Sequence, residues 1–281
     1  MTTTTDSVLR AGVAKHGDEL RLTLDPRFQG LPDVAHGGSV LAAFQAVAGL
    51  GGSQEIRGVY RKRVPLGTPL RLTVASGNGG VACRLFDDTG AMLVDGGVHP
   101  VADAPAATAP VADAPPAGDP LPVSSTCFAC GLDNRLGLRA QLLFDDAKVW
   151  GRWAPRETMA APDGTLAPIA LTALLDEVAF WLGALASGES GMTTELAVTL
   201  HRSIPFGAPI VVAGARGHTR ARDDDRFWET EVTASDVSGG LVASGRITFV
   251  AVRGAARRLV AGLLAVNAPD VLRRVFPAYT R

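Results

Sequence analysis

Apolar residues recur at helical spacing in two places along the chain. Leu41, Phe44, Val47 and Ala48 mark the first. Leu171, Leu174, Leu175, Val178 and Trp181 mark a second, longer one that stops before Gly188. Other segments follow a two-residue period or are rich in strand formers. Glu229 to Thr233 alternates polar and apolar positions, and Gly245 to Val252 is β-rich, as half-buried antiparallel strands should be. The pattern predicts helices and antiparallel strands in one α+β chain.

The elements come in the same order twice. Val64-Pro65-Leu66-Gly67-Thr68-Pro69-Leu70 reappears as Ile204-Pro205-Phe206-Gly207-Ala208-Pro209-Ile210. A strand-like stretch with a basic end precedes each: Gly58-Val59-Tyr60-Arg61-Lys62-Arg63 and Ala197-Val198-Thr199-Leu200-His201-Arg202. Pro65 and Pro205 fall where a strand must end. Each copy therefore reads as a helix followed by about four strands. A sheet wrapped around its helix buries the helix, and two such units can pair about a pseudo-two-fold axis. Between the copies lies an Ala/Pro/Asp-rich stretch with no aromatics, expected to be an extended linker. The predicted divisions are 1–100 for the first unit, 101–122 for the linker, 123–252 for the second unit and 253–281 for a helical tail. The tail mixes Leu259, Val260, Leu263 and Leu264 with Arg257, Arg258, Arg273 and Arg274. It reads as a surface helix packed on its own domain, with a membrane or an acidic partner as the alternative.

Composition narrows the function classes. A chain of 281 residues that is 47% hydrophobic can bury a sizeable core in one large or two ordinary domains. A net charge of −1 gives no case for nucleic acid or for a bulk membrane surface. Only Lys15, Lys62 and Lys148 are lysines among 27 basic residues, which reads as coding bias and carries no chemistry. The first residues lack a basic and an apolar region, and no uncharged apolar run reaches the roughly 18 residues of a membrane span, so a cytoplasmic protein is expected. Three cysteines make no disulfide framework. Cys127-Phe128-Ala129-Cys130 supplies two thiols where zinc normally takes about four ligands, and no second pair exists. The pair reads as small, partly buried thiols at a domain entrance, and no metal is expected. Asp223-Asp224-Asp225 reads as an exposed hairpin tip, and Trp150, Trp153, Trp181 and Trp228 as packing residues.

Chemistry concentrates at the two helix starts. His36-Gly37-Gly38 opens the first helix. The second has no glycines but carries Asp176 and Glu177 where the first has Gln45 and Ala46. The stretches "DPRFQGLPDVAHGGSVLAAFQA", "CFACGLDNRLGLR", "LLDEVAFW" and "TTELAVTLHRSIPFGAPI" resemble the HGG-type hot-dog acyl-CoA thioesterases, over about residues 20–100 and 125–252. The resemblance implies two tandem hot-dog domains forming an intramolecular pseudo-dimer. It implies a glycine amide that polarises a thioester carbonyl, and an acid nine residues after the motif His that acts as base or nucleophile. It also implies a Ser or Thr early in the following strand, a place held by Thr193 or Thr194. Family members often carry an Asn six residues before the motif His; this chain has Gly30 there.

Spacing assigns the halves. Nine residues past His36 is Gln45, which cannot act as a carboxylate base. Nine residues before Asp176 is Ala167, followed by Pro168, which has no N–H to offer an oxyanion. Eight helical residues span about 12 Å, so an acid cannot reach a carbonyl held at its own helix start. Gly37 with Asp176 would make one complete site, and Pro168 with Gln45 a dead one, with Gly38 and Thr194 as candidates for contact with the substrate. His36 shapes the turn or contacts substrate, Thr193 orients water, and Glu177 is a second candidate acid. Arg61, Arg63 and Arg202 are candidates for CoA phosphates.

The expected function is hydrolysis of an acyl-CoA or acyl-carrier-protein thioester with CoA as part of the substrate, no separate cofactor, no nucleic acid or membrane partner, and further association of double units left open. A non-catalytic acyl-thioester-binding module is the alternative. A hydratase or dehydratase is a third class, disfavoured because the second copy has no His in its helix-bearing region.

Overall fold

The computed structural model describes residues 3–77, 79–102 and 117–280. The first unit has α1 (Thr5–Ala11), β1 (Val13–His16), β2 (Glu19–Leu22), α2 (Gly37–Ala48), β3 (Gln54–Tyr60), β4 (Leu70–Gly77), β5 (Gly80–Phe86) and β6 (Met92–Pro100). The second has β7 (Asp119–Pro120), β8 (Leu143–Phe144), β9 (Lys148–Trp153), α3 (Pro168–Ser187), β10 (Gly191–Leu200), β11 (Ile210–Ala215), β12 (Arg220–Ala221), β13 (Phe227–Asp236) and β14 (Leu241–Ala251). Two helices follow, α4 (Ala255–Leu263) and α5 (Pro269–Val275). The linker expected over 101–122 falls largely on residues 103–116, outside the described residues; its end forms β7.

The strands form one antiparallel sheet in the order β1-β2-β4-β5-β6-β3-β10-β14-β13-β11-β9-β8-β7, with β12 on β13. Read outward from the β3–β10 seam, the halves match: β3-β6-β5-β4-β2-β1 against β10-β14-β13-β11-β9-β8. The chain is thus a tandem double hot-dog, each sheet half wrapped around its own helix. The plan of a helix followed by four strands was incomplete, because a pair of strands also precedes each helix. That pair was missed because β8 is two residues long and β1 is mostly exposed, so neither leaves a two-residue apolar period. The seam pairs Val59 with Glu195 and Gln54 with Leu200. Beyond it the two proline motifs make matching bridges, Val34 to Pro65 and Thr165 to Pro205.

Both helices end at a glycine in the left-handed region, Gly49 at φ 62° and Gly188 at φ 70°, which other residues adopt only at a cost. The twenty-residue α3 is apolar nearly all round and buried along most of its length, as a helix in a core must be. By length and composition it could cross a membrane, but here it is the interior helix of the second sheet half, with Asp176 and Glu177 at its middle. The tail packs on the second unit: Val260, Leu263, Leu272, Val275 and Phe276 are buried. Asn267 there donates to the Val123 carbonyl at 2.7 Å and accepts from the Val123 amide at 2.9 Å.

Candidate active site

His36 caps α2 in extended conformation, so Gly37 and Gly38 supply the first free N–H groups of the helix. The two glycines do different work. A Cβ on Gly38 would lie 2.5 Å from the Thr172 carbonyl oxygen and 2.6 Å from the Ala173 Cα, so only glycine allows α2 and α3 to touch there. A Cβ on Gly37 would meet only the Asp176 Oδ2, at 2.7 Å. The helices are pinned where they meet: Thr172 Oγ1 donates to the Gly38 carbonyl at 2.8 Å, and the Tyr60 hydroxyl to the Gly37 carbonyl at 2.6 Å.

Asp176 reaches the start of α2 from α3. Its Oδ2 accepts from the Gly38 amide at 3.0 Å, and its Oδ1 from the Thr193 hydroxyl at 2.6 Å. His36 Nδ1 stands 3.2 Å from the same Oδ2. Half of each repeat has therefore met the complementary half of the other. The Gly37 amide is half-exposed and has no acceptor among the described residues. It remains available to a carbonyl, because Gly38 already serves the acid. The backbone is irregular between Thr193 and Glu195, where the pairing with β14 shifts. Thr194 consequently turns away and donates to the Thr248 carbonyl at 3.1 Å. Glu177 lies about 100° further round the helix. Its Oε1 accepts from Trp181 Nε1 at 2.9 Å, and its Oε2 is 3.7 Å from His36 Nε2.

The cluster is buried, with His36, Asp176 and Glu177 each 6% exposed or less. Burial alone would pull the His36 pKa down, but the Glu177 hydrogen bond and the Asp176 charge overcome it and raise it to about 9. Nδ1, 3.2 Å from Asp176 Oδ2, also accepts from the Gly38 amide at 3.2 Å. Burial, and after it the Asp176 charge, pushes the Tyr60 phenol well above its ordinary value.

Several expectations change. Cys127 and Cys130 are not at a domain entrance: both are buried, at 6% and 7% exposed, in a turn that lies against the first unit beside the cluster. Phe128 N–H donates to the Gln29 carbonyl at 2.6 Å, and Asn134 Nδ2 to the Arg27 carbonyl at 2.7 Å, which fixes that position. The Cys130 thiol donates to Cys127, which lowers the Cys127 pKa and raises that of Cys130 well above its ordinary value. Arg61 and Arg63 are exposed, and Arg63 reaches Met192, next to Thr193, at 3.4 Å. Arg202 is elsewhere, paired with Asp236. It lines a cavity of about 350 Å³ together with Gln45 and Pro168, the incomplete pair. A hollow of about 960 Å³ lies on the outer face of the sheet seam, away from the cluster. The histidine absent from the second copy is supplied across the repeat interface by His36, so the reason for setting a hydratase or dehydratase aside does not hold. Sequence reading missed Tyr60 and read Trp181 as core or interface packing, with a pocket wall as the alternative. The only signal for Tyr60 was its place at the basic end of β3.

No known protein-family profile matches the chain, and no curated protein matches it in sequence. Solved structures do match in fold. A protein assigned as a thioesterase II from Thermobifida fusca YX is 19% identical with a TM-score of 0.63, covering 89% of this chain and 99% of its own. An acyl-CoA thioesterase II, TesB2, from Mycobacterium marinum is 13% identical with a TM-score of 0.57, covering 86% and 96%. A variant of the CurJ dehydratase is 13% identical with a TM-score of 0.54, covering 87% of each chain. At these identities the likeness is one of fold.

Proposed function

We propose that the chain hydrolyses an acyl thioester of CoA or of a carrier protein, at one site built from both repeats. The observation that carries this reading is the meeting of the α2 start with Asp176 and Thr193, beside a free Gly37 amide. The substrate carbonyl accepts from the Gly37 N–H, at the positive end of the helix dipole, where negative charge developing on oxygen is stabilised. Asp176 takes a proton from a water held with the help of Thr193, or attacks the carbonyl itself to form an anhydride. In the first route the water oxygen bonds to the acyl carbon, the C–S bond breaks and the thiolate leaves. In the second, the C–S bond breaks and the thiolate leaves as the anhydride forms, and water then cleaves the anhydride. Single turnover in labelled water separates the two, because only direct attack leaves label in Asp176. With His36 and Asp176 buried, substrate reaches them past the half-exposed Gly37, Tyr60 and Thr193. A cytoplasmic location and assembly of double units into larger oligomers belong to the same reading.

The test is thiol release from short, long and aromatic acyl-CoAs and from an acyl-carrier protein. Release that disappears in Asp176→Asn supports the hydrolase. No release above background from any of them leaves a binding module. The His36–Asp176 pair at 3.2 Å favours a second reading, hydration or dehydration of an acyl thioester, with His36 and Asp176 exchanging protons with substrate. Absorbance of an enoyl-CoA, followed in the same panel, distinguishes it.

Two further outcomes are expected. Thr193→Val keeps the shape and removes one hydrogen bond to a charged carboxylate, about 1.5–3 kcal/mol. The turnover number should fall about 10–100-fold with KM nearly unchanged, whereas a fall of less than twofold would take Thr193 out of the machinery. Arg61→Ala with Arg63→Ala should raise KM for acyl-CoA by about 3–10-fold, from two exposed charge contacts of up to about 1 kcal/mol each. The same pair should leave KM for a thioester lacking the nucleotide unchanged. Arg202→Ala is the control and should alter neither.

A further inference from the structure

The C-x-x-C pair lacked ligands only in sequence. The fold brings it a histidine and a carboxylate. The ligand atoms of His36, Cys127 and Glu177 lie within 4.8 Å of one another, and all three residues are buried. His36 Nε2 and Glu177 Oε2 are 3.7 Å apart, close to the edge of a tetrahedron with bonds of about 2.0–2.3 Å. Cys130 lies outside that group of three, but it is buried in the same turn three residues after Cys127 and is the candidate for a fourth ligand. We propose that His36, Cys127, Cys130 and Glu177 bind a divalent cation of borderline softness, with zinc the best fit.

Three features support a built site. The first is the orientation of the ligands by their neighbours. A metal-bound imidazole usually gives its other N–H to a carboxylate, and His36 presents Nδ1 to Asp176 at 3.2 Å while Nε2 faces the cluster. Trp181 holds Glu177 Oε1 at 2.9 Å and leaves Oε2 turned toward His36. The second is the turn. Gly131 N–H donates to the Cys127 carbonyl at 2.9 Å, and a Cβ at Gly131 would lie 2.2 Å from that oxygen, so glycine is what lets the chain double back beside the thiols. The third is burial. His36, Cys127, Cys130 and Glu177 are each 7% exposed or less, so an ion held by all four would be shielded from solvent.

The donor set selects the metal. Two thiolates disfavour magnesium and calcium, which take oxygen, and a mixed nitrogen, oxygen and sulfur set of four suits zinc. Binding displaces the protons of the two thiols as M²⁺ enters, because thiolate is the ligand form. His36, Cys127 and Glu177, now within 4.8 Å of one another, draw closer around the ion. Four protein ligands leave no open position, so the ion would organise the site without touching substrate. It would tie the first repeat at His36, the connecting turn at the cysteines and the second repeat at Glu177. It would also fix the imidazole that faces Asp176.

The site is independent of the hydrolase reading, and its test does not use activity. The full chain is purified without an affinity tag and its metal content measured, then apoprotein is titrated with cobalt(II). Close to one equivalent of zinc is expected, together with four-coordinate cobalt bands and thiolate-to-cobalt charge transfer. Cys127→Ser with Cys130→Ser should remove both. Folded wild-type protein that holds no zinc and gives no thiolate–cobalt bands would overturn the proposal, whatever the variant does. So would equal cobalt binding by a folded double variant. An active but metal-free protein sinks only the metal site, and an inactive zinc protein sinks only the hydrolase.

Discussion

Asp176→Asn is expected to lower kcat/KM for the thioester by about 10²–10⁴-fold, the range a positioned general base supplies. Two donors converge on this carboxylate, the Gly38 amide and the Thr193 hydroxyl, and His36 Nδ1 lies 3.2 Å from the same Oδ2 as the amide. Asparagine keeps one acceptor and turns an NH₂ toward the other donor. A stability loss of about 1–3 kcal/mol should therefore accompany the loss of rate. The two effects are separated by assaying well below the unfolding transition and following circular dichroism in parallel. Gln45→Ala alters the corresponding position of the other helix and should leave the rate unchanged. More than a tenth of wild-type activity in folded Asp176→Asn would remove the acid from the mechanism.

A large loss of stability is expected at Gly38. An alanine methyl there meets backbone atoms of α3, the Thr172 oxygen at 2.5 Å and the Ala173 Cα at 2.6 Å. Helix backbone cannot step aside as a side chain can, so the two central helices must separate. Overpacking of this kind costs about 2–3 kcal/mol, and Tm should fall by about 5–10 °C for a chain of this size. Gly37→Ala provides the contrast. Its methyl meets only the flexible end of Asp176, at 2.7 Å, so the fold should survive while the displaced carboxylate loses activity. Thermal unfolding of both variants checks the pair. A wild-type Tm for Gly38→Ala would mean the helices do not touch there.

Local pattern carried much of the architecture. The helical spacing of Leu41 to Ala48 and of Leu171 to Trp181 is local in sequence and became the two helices expected, the second ending before Gly188. The repeat also let spacing assign the acid to one helix and the glycines to the other. Strand pairs β1–β2 and β8–β9 stayed hidden, because short or exposed strands leave no period.

Side-chain neighbours at the site were less legible. Thr193 and Thr194 are adjacent in sequence, and only the irregularity between Thr193 and Glu195 determines which of them meets Asp176. Arg202 looks like a counterpart of the first repeat's arginines, yet the two-fold relation of the repeats carries it to the incomplete pair of Gln45 and Pro168. The cysteines read as two thiols short of a metal site because His36 and Glu177 stand far from them in sequence. By itself the sequence determined two repeats, one opening its helix on Gly37 and Gly38 and the other carrying Asp176, since periodicity, capping and residue identity are local properties. Only the tertiary structure decided what surrounds Asp176 and joins His36, Glu177 and the C-x-x-C turn in one buried cluster. Those contacts come from the antiparallel seam of β3 with β10 and the close crossing of α2 on α3, and neither leaves a trace in the order of residues.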